Sequence, residues 1–241
     1  MDFGRFQALS FDCYGTLIDW ESGITAALRP ILHSHGVAVE PTCLLEAYGK
    51  VETEIEAGPY RPYRQVLREV LHRLGDAFGF TASAAELESF AASVKDWPAF
   101  HDSAAALHGL AKRYRLIVLS NIDEDLFGFS QRALSVEFDR VFTAQRIGSY
   151  KPSRRNFEYL IEHSGVPRER MLHVAQSLYH DIGPAKELSL ATVWVDRRKG
   201  LPGPGATPPA PAVPDLTVSS LRSLAVLADC WRSAKTVGRV L

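Results

Sequence analysis

The chain has 241 residues, of which 46% are apolar and 23% charged, and its 27 Lys and Arg against 28 Asp and Glu leave a net charge of −1. A chain of this length buries roughly 70–75% of its unfolded surface, so it can form a full core without disulfides or structural metal. Near-neutrality excludes a chain-wide field for gathering nucleic acid or anionic lipid and favours a small-molecule ligand. No apolar run reaches the ~18–20 residues of a membrane span, and residues 1–5 lack the basic start of a signal peptide. We expect a cytoplasmic protein without nucleic-acid or membrane partners.

The first apolar run, residues 6–11, predicts a buried strand that ends abruptly at Asp12, just before Gly15. From about residue 21 to residue 94 the apolar residues follow helical spacing, and no convincing strand interrupts them. Gly and Pro separate the helical stretches, which are 24–32, 44–55, 65–74 and 84–94.

Strand-like runs alternate with helix-like runs after Trp97 and Pro98, which predicts βαβ units and a parallel sheet. We therefore predict an α/β fold in which residues 1–18 and 98–241 form a Rossmann-like core and residues 19–97 form an inserted α-helical cap domain. Ligands of such a sheet bind at the carboxyl ends of its strands. The later predicted strands are 116–119, 140–143, 171–175, 191–195 and 216–218.

The C-terminal part of the chain contains one long segment without periodicity and one further predicted helix. Residues 199–214 are rich in Pro and Gly and predict a flexible surface loop. Residues 219–231 have apolar side chains at helical spacing and predict a closing helix. The three cysteines, Cys13, Cys43 and Cys230, are too few and too widely spaced for a disulfide framework or a zinc site.

Polar side chains follow four of the predicted strands. Taken singly, each has an ordinary structural explanation: an Asp or a Ser-Asn pair can cap a helix, and a Lys before Pro can lie on the surface. Their joint order along one sheet edge favours a common pocket with two carboxylates and one ammonium group. The residues are Asp12, Ser120, Asn121, Lys151, Gln176, Ser177 and Asp181.

Four ordered motifs carry a resemblance to a known family: Asp12 to Leu17 (DCYGTL), Leu116 to Asn121 (LIVLSN), Tyr150 to Pro152 (YKP) and Ala175 to Asp181 (AQSLYHD). Together they resemble the haloacid dehalogenase superfamily and, within it, the 2-haloacid dehalogenase branch. The resemblance spans nearly the whole chain, including a helical cap after the first motif. It implies that Asp12 is a nucleophile.

The same resemblance implies roles for the other strand-end residues. Lys151 would hold Asp12 ionised, and Asp181 would orient Lys151 and help to activate the hydrolytic water. Tyr14 would form a wall of the substrate pocket. The resemblance also implies that Ser120, Asn121 and Thr16 belong to the catalytic group. Substrate binding is expected to involve Ser120, Asn121 and Ser177.

Two positions depart from the pattern of the phosphoryl-transferring members. Those enzymes are expected to have a second Asp two residues after the nucleophile and a carboxylate at the start of the fourth motif that helps to hold Mg²⁺. Here these positions are Tyr14 and Gln176. A halide is a weak base that leaves without a proton, so neither carboxylate is needed for dehalogenation. We predict a cofactor-free, metal-independent dehalogenase that converts short 2-haloalkanoic acids to 2-hydroxy acids through an ester on Asp12.

The cap is expected to supply a cationic contact for the halide. The resemblance implies that an arginine early in the cap makes this contact. The comparable stretch of this chain, residues 46–50, contains no arginine. Arg61, between aromatic residues and next to Pro62, is the predicted substitute and is preferred to Arg64. The alternative is that this segment is only an exposed basic loop.

Two other functions stay open on the sequence alone. One is a Mg²⁺-dependent phosphohydrolase with a displaced general acid, and the other is a non-catalytic protein that binds a small carboxylate or a protein partner. A homodimer is plausible from the resemblance alone.

Overall fold

The computed structural model describes residues 1–228 and contains one six-stranded sheet in the order β3-β2-β1-β4-β5-β6, with all neighbours parallel. This confirms the predicted α/β class. The last four strands have the predicted bounds, whereas the first begins two residues later. The strands are β1 (Ala8–Phe11), β2 (Arg115–Ser120), β3 (Arg140–Thr143), β4 (Met171–Ala175), β5 (Ala191–Val195) and β6 (Leu216–Val218).

Strand β1 is central and positions the candidate site. Its Ala8 pairs with Arg115 of β2 on one side and with Met171 of β4 on the other. All four β1 residues are buried because neighbouring strands and helices cover the strand on every side. Since the strands are parallel, the residues that follow β1, β2 and β4 meet at one edge of the sheet.

Four helices, α1 to α4, follow β1 before the chain returns to the sheet through α5. We call residues 20–96 the helical insert. Local signals define its helix ends: Asp19 caps α1 by accepting from the Ser22 N–H, and Ser83 and Glu86 form a capping box on α4. The helices are α1 (Trp20–Ser34), α2 (Pro41–Glu56), α3 (Tyr63–Phe78), α4 (Ala84–Ala92), α5 (Ser103–Ala111), α6 (Glu124–Leu134), α7 (Ala144–Ile147), α8 (Arg154–His163) and α9 (Gly183–Glu187).

The segment 199–214 has no helix or strand and lies mostly at the surface, as predicted, but three consecutive residues in it are buried. Gly205, Ala206 and Thr207 are buried, and the Ala206 N–H donates to Glu21 Oε1 at 2.8 Å. A side chain at Gly49 of α2 would overlap the Ala206 carbonyl. The segment therefore packs onto the helical insert, where a glycine lets the two backbones touch.

The predicted closing helix is seen in part, since residues 221–228 are helical. The remainder of that prediction, residues 229–231, and Cys230 lie outside the described residues. Cys13 is buried and Cys43 is exposed, and both are free thiols. Among residues 1–228, no helix has the length and apolar character that crossing a bilayer requires.

Candidate active site

Three charged residues from different strand ends meet at the carboxyl edge of the sheet. The Lys151 ammonium lies between Asp12 and Asp181, donating to Asp12 Oδ1 at 2.9 Å and to Asp181 Oδ1 at 2.7 Å. Its third bond goes to the Leu119 carbonyl at 3.0 Å. An ammonium has three N–H donors, so all of them are used. The ammonium therefore organises the two carboxylates.

The loop after β1 orients the second oxygen of Asp12. Thr16 Oγ1 donates to Asp12 Oδ2 at 2.6 Å and accepts from the Gln176 N–H at 2.8 Å. Gly15 allows this turn because its φ is +90° and an added Cβ would lie 3.0 Å from Gln176 Oε1. Both Asp12 oxygens are thus fixed by hydrogen-bond donors, an arrangement that stabilises the carboxylate form.

The charges of the three residues depend on one another. Burial raises the pKa of Asp12, opposed by the nearby Lys151 ammonium. Burial would also raise the pKa of Asp181, but Lys151 and His173 outweigh it and lower that pKa below its usual value. Burial disfavours the Lys151 ammonium, yet the two carboxylates outweigh this and raise its pKa. Lys151 therefore stays charged across the physiological pH range.

A buried histidine that the sequence reasoning missed supports Asp181. His173 lies inside β4, with Nε2 3.0 Å from Asp181 Oδ1 and Nδ1 2.9 Å from Ser10 Oγ. Because an ionised carboxylate can only accept, Nε2 is the donor to Asp181, and in the neutral ring Nδ1 then accepts from the Ser10 hydroxyl. The sequence feature that could have indicated His173 is its position as the single titratable residue in the otherwise apolar strand 171–175.

The two residues after β2 differ in how they are bonded. The side-chain amide of Asn121 holds the backbone of Lys151 through two hydrogen bonds. Its Oδ1 accepts from the Lys151 backbone N–H at 2.7 Å, and its Nδ2 donates to the Lys151 backbone carbonyl at 3.0 Å. Nδ2 also donates to Glu56 Oε2 at 2.9 Å. Ser120 Oγ is buried and has no hydrogen-bond partner among the described residues. Ser120 is thus the polar group of the pair that is left for a ligand.

A small cavity of about 40 Å³ lies in front of Asp12. A single water requires roughly 10–15 Å³ on this measure, so the cavity has room for only a few waters. Seven residues of its lining were predicted as site residues: Asp12, Tyr14, Ser120, Asn121, Lys151, Ser177 and Asp181. The other lining residues are Trp20, Glu52, Glu56, Tyr63, His180 and Thr207.

The helical insert places acidic rather than basic side chains at this cavity. Arg61 does not line it, although its carbonyl accepts from Tyr150 Oη at 2.8 Å. Arg64 pairs instead with Asp125 at 2.6 Å on the surface. Glu52 and Glu56, one turn apart on α2, face the cavity in their place. Sequence periodicity alone gave no reason to separate these two from the other charged residues of α2.

Glu52 is held by two tyrosines of the helical insert. Tyr48 and Tyr63 each donate a hydroxyl to Glu52 Oε1 at 2.7 Å. Burial nevertheless raises the pKa of Glu52 from its ordinary 4.5 to about 7, with the tyrosine hydrogen bonds acting in the opposite direction. Burial and the neighbouring Glu52 carboxylate raise the pKa of Glu56 well above its usual value. Burial thus favours the protonated form of both glutamates.

The side chains at the strand ends do not match a magnesium site. Mg²⁺ prefers several oxygen ligands in octahedral geometry, usually carboxylates and waters. Asp12 and Asp181 both bond to Lys151, and Gln176 Oε1 accepts from the Thr207 hydroxyl at 3.1 Å. Among residues 1–228, no group of three or more His, Cys, Asp or Glu side chains is placed to hold a metal.

Known proteins similar to this chain include both phosphatases and dehalogenases. A phosphoserine phosphatase from Thermus thermophilus is 31% identical over 177 residues, which cover 70% of this chain and 65% of that protein. The structure of an L-2-haloacid dehalogenase from Xanthobacter autotrophicus matches with a TM-score of 0.78 at 22% identity, covering 93% of this chain and 98% of that one. The hydrolase YfnB from Bacillus subtilis, in a structure bound to magnesium, matches with a TM-score of 0.76 at 18% identity, covering 93% and 99%.

These structural matches establish the fold, which dehalogenases share with a magnesium-bound hydrolase. The family model of haloacid dehalogenase-like hydrolases matches residues 6–188, which include the candidate nucleophile, the lysine and Asp181. The chain therefore belongs to the family of haloacid dehalogenase-like hydrolases.

Proposed function

We propose that the protein is a metal-independent hydrolytic dehalogenase of small 2-haloacids. A carboxylate oxygen of Asp12 attacks the carbon that bears the halogen, and the carbon–halogen bond breaks with its electron pair leaving as halide. The product of this step is an ester between Asp12 and the substrate carbon. Water then attacks the carboxyl carbon of Asp12, which releases the 2-hydroxy acid and regenerates the carboxylate.

One observation carries this choice of leaving group: no carboxyl group stands at the position where a phosphatase acid is expected. Tyr14 occupies it, and its hydroxyl is hydrogen-bonded to Ser130 Oγ at 2.8 Å. Burial raises the pKa of Tyr14 well above its usual value, so the phenol neither ionises nor protonates an alkoxide readily. A halide departs without protonation, and the site fits that requirement.

The hydrolytic step has a candidate acceptor in Asp181. Its Oδ1 atom is engaged by Lys151 and His173, whereas Oδ2 is buried and has no partner among the described residues. A water bound at Oδ2 would be held close to the ester carbonyl of Asp12. We assign Ser120 Oγ, the other buried side-chain atom of this cavity's lining without a partner, to the substrate carboxylate.

The test is halide release in the presence of EDTA, using chloroacetate, 2-chloropropionate and fluoroacetate. We expect halide from at least one haloacid, and a single turnover in H₂¹⁸O should place the label in Asp12 before it appears in product. The Asp12→Asn variant should keep the fold and release no halide. Absence of release from every haloacid tested would overturn the proposal.

A second candidate is a phosphohydrolase with a displaced general acid. Glu52 favours it, because a buried carboxyl with a pKa of about 7 is a suitable proton donor at neutral pH. The curated relative is named a phosphoserine phosphatase. Mg²⁺-dependent release of phosphate from small phosphoesters, lost in Glu52→Gln, would support this function over dehalogenation.

A further inference from the structure

Carboxyl groups outnumber basic groups at the reaction cavity. Its lining contains four carboxyl groups, those of Asp12, Asp181, Glu52 and Glu56. Lys151 is the one Lys or Arg in that lining, within the part of the chain that the structure describes, and all three of its N–H groups are already bonded. The cavity therefore offers no free cation to a purely anionic substrate.

The histidine in the cavity wall does not change this balance. Burial lowers the pKa of His180 to about 4, so its imidazole is neutral at physiological pH. The ring Nδ1 of His180 lies 3.2 Å from Ser177 Oγ, and the backbone N–H of His180 donates to the same oxygen at 2.7 Å. His180 and Ser177 thus satisfy each other without adding a positive charge.

Glu56 also borders a second, larger cavity of about 340 Å³. Three tyrosines line this cavity beside it, namely Tyr60, Tyr150 and Tyr179. The rings of Tyr60 and Tyr150 have centroids 5.4 Å apart at an interplanar angle of 35°. Aromatic faces next to a carboxylate are a typical binding site for an organic ammonium group.

An independent observation indicates that a group binds in the small cavity. Ser120 is only 2% exposed, yet its Oγ atom has no partner among residues 1–228 and it lines the small cavity with Glu56. Buried hydroxyls are normally hydrogen-bonded, so a bound group is expected there.

We propose that the substrate is zwitterionic, with its carboxylate at Ser120 and an ammonium group held by Glu56 and the tyrosines of the larger cavity. This rests on the proposed function for the halogenated carbon, which lies between the two ends and faces Asp12. The cation would compensate the two glutamates, which otherwise resist ionisation in a buried site. The short carbon chain of the substrate would extend from the small cavity to the larger one, whose linings share Glu56, Lys151 and His180.

The experiment compares two carboxylates of the same shape by calorimetry: 4-(trimethylammonio)butanoate and 5,5-dimethylhexanoate, in which a neutral tert-butyl group replaces the trimethylammonium group. Neither contains halogen, so binding is measured without turnover. We expect the ammonium compound to bind at least about tenfold more tightly, a difference within the range of desolvated cation–aromatic contacts. Glu56→Gln, which can still accept from Asn121, should abolish this preference. Glu54→Gln, an exposed position on the same helix, should retain it.

Equal binding of the two ligands, binding of neither, or a preference that survives Glu56→Gln would overturn the inference. Halide release is measured separately with the chlorinated pair, 2-chloro-4-(trimethylammonio)butanoate and 2-chloro-5,5-dimethylhexanoate. Selective binding without halide release would uphold the inference and refute the dehalogenase. Halide release without selective binding would refute only the inference.

Discussion

The protonation of Glu52 predicts an unusual pH dependence of stability, which the Glu52→Gln variant should remove. In the folded protein the pKa of Glu52 is about 7, against 4.5 in its ordinary environment. Between these values the unfolded chain ionises the carboxyl and the folded protein does not. Stability conferred by the protonated form is therefore complete below pH 4.5 and is lost as the pH rises through 7.

The size of the effect follows from the same two values. Each pH unit between them contributes about 1.4 kcal/mol, so wild-type protein loses about 3 kcal/mol by pH 8 through this group. The amide introduced by Glu52→Gln would keep an oxygen that accepts from Tyr48 and Tyr63 without ever ionising. For a chain of this size, 1 kcal/mol shifts Tm by about 2–4 °C, so the variant should melt roughly 6–12 °C above wild type at pH 8.

The assay is thermal unfolding of both proteins at several pH values from 5 to 8, in phosphate buffer so that no amine occupies the acidic cavity. The difference in Tm should be small at pH 5 and grow steadily with pH. Glu54→Gln is the matched control, since it removes one exposed carboxylate from the same helix. A Tm difference that stays constant with pH, or that Glu54→Gln reproduces, would refute the reasoning.

Three further predictions concern the nucleophile, its lysine and the packing of the helical insert. Asp12→Asn should unfold at a temperature close to wild type but show no halide release, and residual turnover would contradict the assignment of the nucleophile. Lys151→Met should lower the free energy of unfolding by about 3–5 kcal/mol in denaturant titrations at pH 7, because it leaves two buried carboxylates facing each other; an unchanged midpoint would argue against the ion-pair geometry. Gly49→Ala should destabilise by about 1–3 kcal/mol because its Cβ overlaps the facing loop, whereas Gly109→Ala, with open space around it, should be neutral or stabilising by up to about 1 kcal/mol; equal effects would count against the packing.

Most of the sheet could be predicted from the sequence because its strands are short apolar runs with clear ends. The strands 140–143, 171–175, 191–195 and 216–218 have the predicted bounds. The convergence of Asp12, Lys151 and Asp181 also follows from the sequence, since residues after parallel strands must meet at one edge. Their individual roles in catalysis remain predictions.

The cavity wall supplied by the helical insert could not be predicted in the same way. Arg61 was the expected halide contact, but the residues that face Asp12 from this side include Glu52 and Glu56. A helical pattern shows which residues are apolar, not which turn of a helix lies over a distant strand end. The burial of Thr207 depends likewise on the contact between α2 and the segment 199–214, whose residues are far apart in sequence.

The sequence by itself determined the parallel sheet, the family and the set of polar groups at the strand ends, because these depend on local periodicity and on the order of motifs. Only the tertiary structure decided the electrostatic character of the cavity. Charge in a buried site depends on which side chains are brought within a few ångströms and which of them are already paired. Here Lys151 is fully paired and two glutamates from α2 are added, so a chain with a net charge of −1 has a cavity at the carboxyl edge of its sheet in which carboxyl groups outnumber basic groups.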